Sequence, residues 1–269
     1  MQTYGSKWCG RQSGMSIEGK HVVSQWFEAA DRFRSEYRDK IETESTPHGL
    51  VFSAEMDGPQ QALLSFGWDL YCLQSKNKLP EDVLKKLRKN DTFQSFRYEI
   101  AVAAIMMRAG FDIEWYDTSG NEGKRSEFVA VHRNTGLKVT VEAKSIHREG
   151  VLHMKGLPDP TAIKAKQIAR RLKDAEKKKE EGIPHLVFID INRPPSDSDL
   201  KRDIEYIKTL VNAMPPLSDE RPAKHEALFL TNFSPYYGGV GQPLPKHQHY
   251  SVFPSFCADK RSLGDYQEI

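Results

Sequence analysis

The chain has 269 residues, 38% of them hydrophobic, with 39 basic against 37 acidic side chains and a formal charge of +2. This is the composition of a globular protein with a packed interior, and its near-balance of charge means that any nucleic-acid binding must come from local patches. Cys9, Cys72 and Cys257 are too few and too scattered for a disulfide framework or a zinc ribbon, which suits a reducing cytosol.

Residues 1–15 are Gly, Ser and polar without a period, and read as a flexible lead-in. From Ile17 to Ile41, Val22, Val23, Trp26, Phe27, Ala30, Phe33 and Tyr37 mark the apolar stripe of a helix. Pro47 to Pro59 reads as a connection, Gln60 to Gln74 as a second apolar helix, and Pro80 as the first residue of a third. Residues 1–90 are therefore expected to form a helical extension. The third helix carries Lys85, Lys86, Arg88 and Lys89. They form either a cluster that meets phosphates or a solvated helix end where cations favour the C-terminal dipole. Asp91 with Gln94 resembles a capping box, and Phe93, Phe96, Ile100, Ala103, Ala104 and Met107 follow at helical spacing until Gly110 ends the run. Glu99 lies beside that stripe, where a carboxylate is costly unless paired. The longest unbroken apolar run, Ile100 to Met107, is far below the roughly 20 residues of a membrane span. With no signal-peptide core at the N-terminus, a soluble cytoplasmic protein without a membrane partner is expected.

Three short apolar runs occupy residues 111–145. In the last, Lys138 to Ser145, Val139, Val141 and Ala143 alternate with Thr140, Glu142 and Lys144. A strand would therefore put Glu142 and Lys144 on one face. The preceding run, Arg125 to His132, is joined to it by Arg133-Asn134-Thr135-Gly136, a hairpin turn ending in the residue that best tolerates positive φ. If Asn134 and Thr135 form a two-residue loop, Arg133 faces Gly136 and the same register sets Glu127 opposite Glu142. Cross-strand carboxylates about 5 Å apart destabilise a hairpin unless something positive lies between them. A three-residue loop would instead pair Glu127 with Ala143.

Ser126-Glu127, followed by Glu142-Ala143-Lys144 fifteen positions after Glu127, resembles the bipartite signature of the PD-(D/E)XK nuclease superfamily, the restriction-endonuclease-like fold. Ser126 stands where the family has proline, and Glu127 where it usually has aspartate. The resemblance covers residues 91–234 as an α-β-β-β-α-β core with a mixed sheet, and so implies an α/β fold. Residues 1–90 are then the appended helices and 235–269 a loop-rich C-terminal tail. It also implies a nuclease dependent on Mg²⁺, or Mn²⁺, that hydrolyses phosphodiester bonds of DNA, with RNA left open as the alternative substrate and a homodimer as a compatible assembly. Glu127, Glu142 and the backbone carbonyl of Ala143 would hold the metal, Lys144 would orient the nucleophile, and Glu99 would add the acid that the family often draws from the preceding helix. Restriction, phage defence and repair all use such a core. The competing reading, motivated by Glu127, is a module that kept the fold, lost the chemistry and binds nucleic acid or a protein.

Glu149 to Pro160 reads as a loop bordering a cleft, with His147 and His153 at its edges, both expected to be polar surface. Thr161 to Gly182 reads as a crossover helix with Ala162, Ala165, Ile168, Ala169, Leu172 and Ala175 facing the sheet. The resemblance implies that a lysine or glutamine early in this helix joins the site. Lys164 and Lys166 flank the apolar stripe, whereas Gln167 lies nearly opposite it. These three, with Lys124 and Arg125 before the second strand, are the expected nucleic-acid contacts. The run Lys173 to Glu181, mixed in sign, is expected to be a solvated face. His185 to Asn192 is a buried strand reached by a parallel crossover, Leu200 to Met214 a helix, and Glu226 to Phe233 a further strand. His247 and His249 are expected on a surface loop.

Overall fold

The structure, a computed structural model, describes residues 4–17, 19–36, 42–53, 58–75, 79–116, 125–146, 165–192, 200–213, 224–232 and 251–254. Lys124, Lys164, the loop with His147 and His153, and His247 and His249 lie outside the described residues. Among the described residues, no helix is long and apolar enough to cross a membrane.

The N-terminal part holds helices α1 (Ser6–Ser13), α2 (Val22–Glu36), α3 (Gly58–Gln74) and α4 (Glu81–Leu87), with a hairpin of β1 (Glu42–Thr46) and β2 (Gly49–Ser53). Then come α5 (Asn90–Arg108), β3 (Phe111–Trp115), β4 (Phe128–His132), β5 (Lys138–Ser145), α6 (Ala165–Glu176) and β6 (His185–Asp190). They are followed by α7 (Leu200–Asn212), β7 (Ala227–Asn232) and β8 (Ser251–Pro254). The fold is mixed α/β: strands β3 to β8 form one open sheet in chain order. Its first three strands are antiparallel, β5, β6 and β7 run parallel, and β8 returns antiparallel to β7.

The period-two pattern divides the core between the two faces of this sheet. Phe128, Ala130, Val139, Val141, Ala143 and Phe188 pack with α5 and the N-terminal helices. Val187, Ile189, Leu228 and Leu230 pack on the other side with Ile168 and Ala175 of α6 and Ile207 and Leu210 of α7. The first of these cores is continuous from Tyr4 and Trp8 through Phe66, Phe93 and Ile100 to the strands. A buried ion pair reinforces it: Asp69 of α3 holds Arg97 at 2.8 Å and Arg108 at 3.0 Å, both from α5.

Several expectations need correction. Residues 6–13 are a helix and not a loose lead-in, because Trp8 is buried against Tyr4 (centroids 4.4 Å) and His21 (5.3 Å), contacts that no local period announces. The second helix begins at Val22, not Ile17, after turns at residues 17 and 19 and a contact from the Val23 N–H to His21 Nδ1 (3.3 Å). The expected connection from Pro47 contains a strand, since the turn closes on Gly49 at φ 124° with the Thr46 hydroxyl bonded to the Gly49 carbonyl at 2.8 Å. The Asp91–Gln94 capping box does not form. Helix α5 starts at Asn90 with Lys89 as its cap residue, no side chain bonds that cap, and Gln94 is buried. Pro80 caps α4 and does not open it. Ser251–Pro254, within the expected loop-rich tail, is a strand paired with β7.

Candidate functional site

The site grows from the β4–β5 hairpin. Its ladder pairs Val131 with Lys138, Ala130 with Val139, Val129 with Thr140 and Phe128 with Val141. The turn is one pair wider than a two-residue loop: the His132 N–H donates to the Leu137 carbonyl and the Gly136 N–H to the His132 carbonyl, both at 2.8 Å. Gly136 takes φ 70° to allow this. Adding one residue to each side of a loop leaves the pairing unchanged, so the expected register persists.

At Glu127 that register slips. Its N–H donates to Val141, at 3.1 Å, although Val141 is already the partner of Phe128. Two consecutive residues thus face one, as in a bulge, and Glu127 leaves the ladder one step short of the position facing Glu142. The side chains still meet. Lys144 Nζ lies 3.3 Å from Glu127 Oε1 and forms an ion pair with Glu142 Oε1. Backbone groups of residues two apart in a strand point to the same edge. Leu137 and Val141 direct their carbonyls toward β4, and Ala143 by alternation does the same, beyond the last residue that β4 pairs.

A fourth residue, which the sequence reading assigned to a solvated face, completes the cluster. Lys178, just past the end of α6, brings its Nζ to 2.8 Å from Glu142 Oε1 and 3.4 Å from Glu127 Oε1. It continues the Ile168–Ala175 stripe by three residues, the signal that could have found it. Ser126, in the place of the motif's proline, is buried and donates to the Lys178 carbonyl at 3.4 Å, fastening the start of β4 to the turn that carries this lysine. Tyr116 hydrogen-bonds Glu180 in the same turn.

Burial sets the electrostatics. It drives the fully buried Glu142 carboxyl upward, and Glu127 adds to that; Lys144 and Lys178 pull it back to about 7. Burial, then the charge of Glu127, also lifts Glu99 well above the usual carboxylate range. Lys144 opposes this, Glu142 adds to it, and Lys86 opposes it again. Burial depresses Lys144, but Glu142 and Glu127 together outweigh it and raise the ammonium above its ordinary value. With Glu99 protonated, two carboxylates, Glu127 and Glu142, meet two ammonium groups, Lys144 and Lys178, in a poorly solvated place.

A hard cation such as Mg²⁺ takes oxygen ligands and is often held by one or two carboxylates, with water and phosphate completing its shell. Glu127 and Glu142 offer that donor set, and the buried Glu142 Oε2 has no hydrogen-bond partner among the described residues. Among the described residues no three His, Cys, Asp or Glu side chains are grouped as a metal site. Of the expected nucleic-acid contacts, Arg125 is exposed with its guanidinium 5.4 Å from the centroid of the Tyr116 ring. Lys166 is exposed on α6, Gln167 is half-buried there, and neither Arg125 nor Lys166 pairs with the carboxylates. No family model, curated protein or solved structure matches the chain.

Proposed function

We propose that this chain is a metal-dependent nuclease of the PD-(D/E)XK superfamily, with a restriction-endonuclease-like core, that hydrolyses phosphodiester bonds of DNA. The observation that carries this reading is the meeting of Glu127, Glu142 and Lys144 at the open end of the hairpin, with one oxygen of Glu142 buried and unbonded among the described residues. Glu127, Glu142 and the Ala143 carbonyl would hold the cation, and their oxygen chemistry suits Mg²⁺ or Mn²⁺. When bound, the metal supplies charge neutralisation at the scissile phosphate and lowers the pKa of a coordinated water.

The chain's own groups do the rest. Lys144 is held by two carboxylates, so its ammonium is fixed in direction and stays protonated. It positions the attacking water and neutralises charge that develops on the phosphate oxygens. Lys178 balances the carboxylates before substrate arrives. Glu99, kept protonated by burial, would give up its proton only when more positive charge enters the cluster.

One observation favours a second reading, a nuclease-fold module without activity: Lys178 lies within 3.4 Å of both carboxylates, where it can substitute for a cation. Incubating supercoiled, linear and single-stranded DNA, and RNA, with each divalent metal decides between them, with Glu142→Ala as control. Metal-dependent cutting by the wild type that the variant lacks supports the nuclease. Binding that is equal in EDTA and Mg²⁺, with no cutting, supports the inactive module.

A further inference from the structure

We propose that the groove between α1 and the C-terminal end of α4 is a phosphate track that holds the backbone of a nucleic acid. The groove has a volume of roughly 550 Å³ and is lined by Trp8, Arg11 and Gln12 of α1 and by Lys85, Arg88 and Lys89 at the end of α4. Four cations from two elements far apart in sequence thus surround one concavity. Only Arg88 has a carboxylate partner there, Glu81 at 3.2 Å; Arg11, Lys85 and Lys89 enter no ion pair among the described residues.

Cations are favoured singly at helix C-termini, which would account for Arg11 or for Lys85 alone. It does not account for their convergence. Like charges held around one concavity repel one another, and an anion from solution relieves that cost. The floor is packed: Trp8 is buried against Tyr4 and His21, which holds α1 with Arg11 lining the groove. Cations spread over the walls of an open groove suit a chain of phosphates better than one small anion, which needs a closed nest of donors. The neighbour of Lys85 points elsewhere. Lys86, about 100° round the helix, lies 4.8 Å from the centroid of the Phe96 ring, and its charge reaches Glu99. Helix α4 therefore borders the groove on one side and packs against α5, the helix that carries Glu99, on another. That the polymer is nucleic acid rests on the nuclease reading; that the groove binds phosphates rests on its own charges.

The test is binding of a labelled DNA duplex, in EDTA so that nothing is cut, over a series of salt concentrations. Replacing Arg11, Lys85 and Lys89 together by Gln should flatten the slope of log affinity against log salt by about 2 to 3, since each lost phosphate contact removes about 0.9. Arg11→Gln alone should remove about 1, and it carries the test if the triple variant fails to fold. Wild-type binding with slopes unchanged in both variants would overturn the groove and leave the nuclease reading standing. Binding of pyrophosphate that the triple variant loses, beside unchanged DNA slopes, would also overturn it, as a small-anion pocket. If the wild type bound neither DNA nor an RNA of equal length, both the groove and the nuclease reading would fall.

Discussion

Lys178 Nζ lies 2.8 Å from Glu142 Oε1, joining the turn after α6 to the centre of β5. Because Glu142 is fully buried while Lys178 keeps some contact with solvent, the lysine is the member of this pair that can leave.

Lys178→Gln should lower the melting temperature of the metal-free protein, with a cost of about 2 to 3 kcal/mol for a charge-assisted contact. It should also enlarge the stabilisation that Mg²⁺ confers, because the carboxylates lose their internal counter-charge. Melting curves with and without Mg²⁺ check both effects. A variant that is destabilised yet indifferent to Mg²⁺ would make Lys178 and Glu142 a purely structural pair.

Glu142 dictates a pH dependence. Its folded pKa of about 7 exceeds the ordinary 4.5, so between these values the folded chain keeps a proton that the unfolded chain has released. Its contribution to stability is therefore best below about 4.5, declines as pH rises, and is fully lost above about 7. In EDTA, Glu142→Gln should melt higher than wild type at pH 8 and close to it at pH 4, because the amide cannot ionise. An equal gap between the two proteins at both pH values would disprove the assigned burial cost.

Replacing Lys144 by Arg tests position against charge. A planar guanidinium cannot reproduce a compact ammonium held between Glu127 and Glu142. Lys144→Arg should keep DNA and metal binding, measured in Ca²⁺, and lose most of the single-turnover cleavage rate. Lys166→Gln, on the exposed face of α6, should do the reverse and mainly weaken binding. Cleavage at the wild-type rate by Lys144→Arg would reduce this lysine to a general phosphate contact.

The two arginines that meet Asp69 should differ. Asp69→Ala leaves Arg97 buried without its carboxylate, which should cost about 3 to 5 kcal/mol in urea unfolding. Arg108→Ala, at a side chain that is 42% exposed, should cost about 1 kcal/mol or less. Similar losses in the two variants would contradict the burial difference between them.

Features that depend on near neighbours in the chain were legible along it. The alternation from Val139 to Lys144 assigned Val141 to the core and Glu142 and Lys144 to one face, because side chains in a strand point alternately. The turn around Gly136 marked the hairpin but left two registers open, and the four-residue loop closed by His132 and Leu137 selects between them. The stripe from Phe93 to Met107 determined α5. The slip at Glu127, the approach of Lys178, the electrostatic reach of Glu99 and the place of α1 arise from packing between separate elements. Lys178 is indistinguishable from its charged neighbours along the chain, since what sets it apart is a carboxylate on another element. Trp8 likewise stands alone in a polar segment and earns its helix from Tyr4 and His21. Local periods encode which way a side chain faces; which partner it finds there depends on how separate elements pack, and no short stretch of sequence contains that information.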